Sequence, residues 1–283
     1  MDSIKKVRQS NFELLRIVAM IFIVTHHLII KGADTCGYLT TYDLKKDGCL
    51  GLFINGLAIV GVFVIHFALL VLVAPILEVA LKGKDERTVG KWVILLLIVN
   101  VFFGFLLGYV NDNGYNYSNF ILLYVIARYI RLIEEKPTRL YNHIQKFGIL
   151  YWILAAILLT VGFVILYKIG KVPSSTRYFA YNNPLVLFSA FCIFIVFSSL
   201  KFKSKWVNII AAGMFGVFLM HTPPEIIPLR NKISSLIFLQ YGYLGIFAEV
   251  FILFTALTII AIPTEKLNSF ISKTLQNRFK ILA

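Results

Sequence analysis

Long apolar runs alternate with short polar segments along most of the chain. The first run covers residues 11–30, and about 20 apolar residues in a helix are enough to cross the ~30 Å hydrocarbon core of a bilayer. Seven further runs lie at residues 50–81, 91–109, 120–132, 147–167, 185–200, 207–221 and 243–262. This pattern predicts an all-α, polytopic membrane helix bundle of about eight transmembrane helices.

Composition and charge support this class and suggest an orientation. The 283 residues are 59% hydrophobic and 15% charged, whereas soluble domains are about 45–50% apolar and about 25% charged. Most of the 28 Lys and Arg residues fall on one side of the predicted bundle. Because such an excess marks the cytoplasmic side, we expect both termini in the cytoplasm and a multi-pass protein of the inner (cytoplasmic) membrane. The net charge of +14 therefore reflects topology, and the expected partner is the lipid bilayer, with no nucleic acid.

Three stretches depart from simple spans. The run at 50–81 would be about 48 Å long as a straight helix, so it must tilt, kink or end on the surface. Residues 233–239 are too short to span, and they either lie on the membrane surface or re-enter it. We expect Pro263 to end the eighth span. The prediction is a single membrane domain over residues 1–263, followed by a basic amphipathic cytoplasmic tail over residues 264–283.

The first apolar run carries four ionisable side chains, Glu13, Arg16, His26 and His27. Each costs roughly 2.5 kcal/mol or more at membrane depth, so they need a functional or structural reason. Glu13 and Arg16 are three residues apart and can pair on one helix face. His27 follows Arg16 by eleven residues, about three turns and roughly 16 Å, so both point the same way. The plain alternative places Arg16 at the inner surface and the two histidines in the outer headgroup region.

Other polar residues stand at the ends of, or inside, the later runs. His221 ends the seventh run, where it would either contact a substrate or cap helix carbonyls. Arg128 and Arg131 end the fourth run, and they suit either phosphate binding or ordinary anchoring at the cytoplasmic side. Glu249 lies within the eighth run and needs a partner, which the sequence does not name.

The cysteines and the known metal motifs add little. Cys36 and Cys49 share one loop, and they pair only if that loop faces an oxidising compartment and brings them close together. His66 lies in the second run, as a hydrogen-bonded histidine of the bundle or as part of a polar path. The sequence contains no Walker loop, Rossmann glycine pattern, CxxC pair or HExxH helix. We therefore expect no nucleotide-binding fold and no bound metal.

Two sequence stretches together resemble a known family. The stretch NFELLRIVAMIFIVTHH at residues 11–27 is similar to the opening helix of the acyltransferase 3 family, which has an arginine, ten residues and a histidine. Arg16 and His27 match that spacing. The later stretch AAGMFGVFLMHTPPEIIP, which contains His221, resembles a late helix of the family, and FINGLAIVGV at residues 53–62 resembles the start of its second helix.

The resemblance implies a membrane-integral O-acyltransferase. Such proteins transfer an acyl group, often acetyl from acetyl-CoA, to a hydroxyl of a cell-surface polysaccharide or related glycan. On this reading His27 is the general base. Arg16 either holds the stripe of His27 in place through Glu13 or binds a phosphate of CoA near the inner face, and His221 orients the acceptor or serves as a second polar contact. Arg128 and Arg131 would then bind the phosphates of acetyl-CoA.

The chain departs from the family pattern after Val62. It passes directly into FVIHFALLVLVAPILE, which resembles a later family helix, so about two spans are missing. Two alternatives therefore stay open. One is a catalytically inactive relative that acts in a polysaccharide assembly, and the other is a transporter or flippase-like bundle. The sequence does not fix the oligomeric state.

Overall fold

The described part of the chain is built of helices. The computed structural model describes residues 9–35, 74–109, 113–114, 117–171, 175–221 and 226–282, and no strand occurs in these residues. The helices are α1 (Ser10–Thr35), α2 (Ala74–Leu81), α3 (Glu86–Leu97), α4 (Tyr117–Glu135), α5 (Arg139–Lys168), α6 (Ser175–Tyr178), α7 (Pro184–Ser199), α8 (Lys205–Ala212), α9 (Met214–Met220) and α10 (Ile227–Leu282), and α3 continues as a π-helix over Ile98–Leu106. The all-α class is thus confirmed for the described residues.

Four helical segments are long and apolar enough to cross a membrane. They are Ser10–Ile29, Glu86–Leu106, Arg139–Lys168 and Ile227–Asn268. Pro184–Ser199 and Lys205–Met220 are shorter apolar helical segments. These segments support a membrane protein, while the count of eight spans and the cytoplasmic termini stay predictions. Residues 36–73 lie outside the described residues, and with them His66, Cys36, Cys49, the family-like stretch at 53–62 and the point after Val62 where the resemblance predicts missing spans.

The helices group into two compact units. One contains α1 and the helices that follow Leu200, namely α8, α9 and α10. The other contains α2 to α7. Whether residues 1–263 act as a single membrane domain stays a prediction.

In the first unit, α1 packs against α10, α8 and α9. Glycines allow α9 to approach α10 closely. A Cβ atom at Gly216 would lie 3.0 Å from the Cβ of Ala261, and one at Gly213 would lie 3.1 Å from Cγ1 of Ile262. Small residues at such crossings are the usual way in which membrane helices pack, because they allow the backbones to come together.

Helix α10 folds back on itself at Gly242. This residue has φ 59° and ψ −147°, a conformation open to glycine because it has no Cβ. Ser234 before the break and Glu249 after it are hydrogen-bonded at 2.6 Å, although a straight helix would hold them about 22 Å apart. The short apolar piece at 233–239 therefore belongs to a first limb, residues 227–241, that packs on the second limb.

The prediction that Pro263 ends a helix is wrong. Pro263 lies inside α10, which continues to Leu282. Proline has no N–H to donate to the preceding turn, but this need not end a helix when other groups satisfy the carbonyls nearby. The carbonyl that Pro263 leaves without its N–H donor is that of Ile259, and the hydroxyl of Thr264 donates to the two carbonyls that follow it, at 3.1 Å to Ile260 and 2.8 Å to Ala261. The tail after residue 263 is thus continuous with the last apolar helix.

In the second unit, α5 packs along α7 and α3 packs along α4. Gly148 allows the first of these contacts, because a Cβ there would lie only 2.6 Å from Cγ2 of Val196 and 3.0 Å from the carbonyl oxygen of Cys192. Asn100 is buried in the π-helical stretch, and its amide exchanges hydrogen bonds with the hydroxyl and the carbonyl of Ser118. This polar contact ties the π-helix to the start of α4.

Candidate functional site: a histidine pair

Two histidines separated by 194 residues meet in the first unit. Nδ1 of His27, on α1, lies 3.0 Å from Nε2 of His221, which directly follows α9. The rings are nearly parallel, with 7° between their planes and 5.0 Å between their centroids. His221 is buried and His27 is partly exposed. The structure therefore brings together the histidines of the early and the late motif.

The hydrogen bonds of the pair fix where its protons lie. Nδ1 of His221 is 2.6 Å from the carbonyl oxygen of Phe218, and because a carbonyl only accepts, this nitrogen donates. In a neutral His221 the other nitrogen, Nε2, must then accept, so Nδ1 of His27 donates to it. Because Nδ1 of His27 carries the hydrogen, the basic lone pair of this ring lies on Nε2. The arrangement gives His27 the tautomer of a general base, held in orientation by His221.

His221 caps the end of α9, which was one of its two predicted roles, while contact with a substrate stays a prediction. Its ring caps the last turn of α9 through the carbonyl of Phe218, as expected of a helix-end histidine. The same ring also contacts His27. Nδ1 of His221 therefore bonds to the last turn of α9, and Nε2 of the same ring bonds to His27.

Arg230 holds the backbone at His221. Its Nη1 atom donates to the carbonyl oxygen of His221 at 2.8 Å, and its Nη2 atom donates to Oδ1 of Asn231 at 3.2 Å. A cation here also suits the helix dipole, because α9 ends immediately before His221 and its last carbonyls carry partial negative charge. Arg230 thus joins the first limb of α10 to the residue that positions His27.

Glu249, whose partner the sequence does not name, lies beside this arginine. Its Oε1 atom accepts a hydrogen bond from the buried hydroxyl of Ser234 at 2.6 Å, and its charge interacts with that of Arg230. The fold-back at Gly242 creates this cluster, since it places Glu249 of the second limb in contact with Ser234 and within electrostatic range of Arg230 on the first limb. Opposite charges that interact between apolar helices lower the cost of burying each other.

Arg230 and Ser234 are functional candidates that the sequence reading missed. Arg230 lies between the predicted runs at 207–221 and 243–262, and the apolar pattern does not indicate the fold-back. The sequence does contain one indication of this cluster. Arg230 and Ser234 are four residues apart and therefore share a helix face, and Glu249 required a cation or donor.

Arg16 lies on α1 as predicted, apart from the histidine pair. Its Nη1 atom forms an ion pair with Oε2 of Glu13 at 3.0 Å, which confirms the expected pairing, and its side chain is 46% exposed. Since α1 is a continuous helix, the distance of about 16 Å along the axis to His27 is retained. The roles assigned to Arg16 stay predictions.

Arg128 and Arg131 lie on α4, in the second unit. Arg128 is partly buried and Arg131 is exposed. Their assignment to the phosphates of acetyl-CoA stays a prediction. Within the described ranges, no group of three or more His, Cys, Asp or Glu side chains is placed to hold a metal ion.

Comparison of the chain with protein-family models, with curated proteins and with solved structures finds no match.

Proposed function

We propose that the chain is a membrane-bound O-acyltransferase that moves an acetyl group from acetyl-CoA to a hydroxyl of a cell-surface polysaccharide or related glycan. The observation that carries the proposal is the contact of 3.0 Å between His27 and His221. Ionisable side chains within a membrane segment are costly and commonly functional, so the contact between His27 and His221 indicates a functional site. A base with a pKa near the operating pH is what hydroxyl acylation requires.

In this proposal His27 takes the proton of the acceptor hydroxyl at Nε2. The acceptor oxygen attacks the thioester carbon, the carbon–sulfur bond breaks, and the proton passes from His27 to the departing thiolate. His221 orients His27 and stabilises its cationic form, since Nε2 of His221 accepts the hydrogen bond from Nδ1. We assign Arg128 and Arg131 to the phosphates of the donor, as charged groups that pair with phosphate oxygens.

The experiment is transfer of radiolabelled acetyl from acetyl-CoA into an envelope glycan, in membranes with and without the chain. We expect label that depends on the chain and that falls about 10²-fold or more in His27→Ala, the usual cost of losing a general base. His143→Ala is the matched control, because His143 lies on α5 in the other unit and contacts Tyr151. Unchanged transfer in His27→Ala would remove the proposed role of the pair.

A transporter or flippase-like bundle is the second candidate, and one observation favours it. The break at Gly242 and the charges of Arg230 and Glu249 lie within an apolar helix, and broken helices with charged groups line the substrate sites of many transporters. Movement of a labelled glycolipid across the membrane of proteoliposomes, in the absence of acetyl-CoA, would support the transporter or flippase function. Inactivity in both assays, from inserted and folded protein, would favour the inactive relative.

A further inference from the structure

A groove of about 710 Å³ lies in the first unit, away from the histidine pair. It is formed where α1 and α8 begin and where α10 passes Ile262. Sites for small organic ligands commonly have volumes of ~300–1,000 Å³. The groove is therefore large enough to hold part of an organic molecule.

The lining of the groove is basic at its rim and apolar at its floor. Lys203, Lys205 and Lys266 supply the basic groups, whereas Ile209, Ala212 and Ile262 supply the apolar surface. All three lysines are exposed, so their ammonium groups can turn toward a ligand. One acidic side chain, that of Glu265, lies among the lining residues, which leaves an excess of positive charge.

Two backbone N–H groups beside the groove, those of Ser204 and Val207, are already hydrogen-bonded within the protein. The backbone N–H of Ser204 donates to Oγ of Ser10 at 2.9 Å, and Oγ of Ser204 accepts from the N–H of Val207 at 3.3 Å. These bonds tie the start of α1 to the start of α8 and give the groove a fixed wall. The side chains of Lys203, Lys205 and Lys266 and the apolar residues are thus the main groups that this wall leaves for a ligand.

The level of the groove in the membrane follows from the ends of the apolar segments. Two of them begin here, Ser10–Ile29 and Lys205–Met220, and the segment Ile227–Asn268 ends here. The groove thus lies where apolar helix surface gives way to polar chain. Because Lys and Arg are in excess on the side of the predicted bundle that holds the termini, we expect this level on the cytoplasmic side, whose leaflet carries anionic lipids that attract Lys and Arg.

We propose that the groove binds an anionic phospholipid. The three lysines contact the headgroup phosphate, and the first carbons of the acyl chains lie on the floor formed by Ile209, Ala212 and Ile262. A soluble phosphate compound would use the rim alone, whereas a phospholipid matches both the charge and the apolar surface. This inference does not depend on acyl transfer, because it concerns a different part of the first unit.

The test measures binding of fluorescent phosphatidylglycerol and phosphatidylcholine, with identical acyl chains, to the full chain purified and delipidated in detergent. We expect phosphatidylglycerol to bind at least tenfold more tightly. The variant K203Q/K205Q/K266Q should lose this preference, and each single replacement should weaken binding about fivefold, the usual contribution of one basic residue near anionic lipid. The single variants keep the test valid if the triple variant does not fold.

The control variant K82Q/K84Q/K136Q removes the same charge from exposed positions outside the groove and should bind phosphatidylglycerol as the wild type does. Ala212→Phe fills the floor and should weaken both lipids. Equal binding of the two lipids by the wild type, or equal losses in the groove and control variants, would overturn the proposal. Displacement of phosphatidylglycerol by inorganic phosphate or by coenzyme A, at an ionic strength held constant so that screening does not change, would also overturn the proposal in favour of a soluble phosphate ligand.

Discussion

Replacing Arg230 by methionine tests whether the charge cluster supports the histidine pair. Methionine has a similar length, but it has no donor for the carbonyl oxygen of His221, which Nη1 of Arg230 reaches at 2.8 Å. Hydrogen bonds that involve a charged group contribute about 1.5–3 kcal/mol. Arg230 is partly buried, so we expect Arg230→Met to lower the free energy of unfolding by about 2 kcal/mol, and acetyl transfer at least tenfold as His221 shifts.

The partner of this substitution is Glu249→Gln, which removes the charge and leaves an oxygen that can accept the bond from Ser234. Alone it should cost about 1 kcal/mol. In the double variant no unpaired charge remains, so the loss should be smaller than the sum, with a coupling of about 1 kcal/mol. Unfolding in mixed micelles, followed by circular dichroism as denaturing detergent is added, measures all four proteins.

Two outcomes would refute this reasoning. Independent sites are additive within about 0.3–0.5 kcal/mol, so additive losses would show that the two charges do not interact. Full acetyl transfer by Arg230→Met would show that the arginine does not position His221. Arg230→Lys separates charge from geometry, because it retains the cation and one donor but loses the planar fork. We expect Arg230→Lys to retain more of the wild-type stability than of the wild-type acetyl-transfer activity.

Two further predictions concern glycines. Gly148→Ala places a Cβ 2.6 Å from Val196 and 3.0 Å from the backbone of Cys192, so α5 and α7 must separate, and we expect a loss of about 1–3 kcal/mol in the same unfolding assay. Adding Val196→Ala should recover part of that loss, and no recovery would place the strain elsewhere. Gly242→Ala puts a Cβ on a residue with φ 59° and ψ −147°, which should cost about 1–3 kcal/mol, and an unchanged stability would contradict the fold-back described above.

The apolar pattern placed α7 closely, since the predicted run at 185–200 matches Pro184–Ser199, whose cap residue Asn183 accepts from the N–H of Leu185. It missed the polar start of α5, which begins at Arg139 and not at the predicted residue 147, although Thr138 caps it by accepting from the N–H of Tyr141. Such caps are short-range and can be read from sequence. The predicted pair of Glu13 and Arg16 is equally local. All these features depend on residues within one or two turns of each other.

The apolar pattern could not predict features of the fold that depend on contacts between different limbs or helices. The backbone of Gly242 turns only because the first limb of α10 finds a packing partner in the second. The continuation of α10 past Pro263 is a local exception, in which the hydroxyl of Thr264 donates to the carbonyls of Ile260 and Ala261. The proline rule predicted an end here because it counts the missing backbone donor, although one missing hydrogen bond need not end a helix.

The histidine pair makes the same point for the site. His27 and His221 were each proposed from separate motifs, but their contact joins α1 to the end of α9 across 194 residues. Periodicity along one helix does not report such a contact. Arg230 adds a second such contact, because it bonds to the backbone of His221, and the fold-back brings Glu249 to Ser234, one turn along the same limb. If the pair acts in acyl transfer, its reactivity therefore depends on the hairpin of α10 as much as on the two histidines, and substitutions at Gly242 should lower transfer without touching either ring.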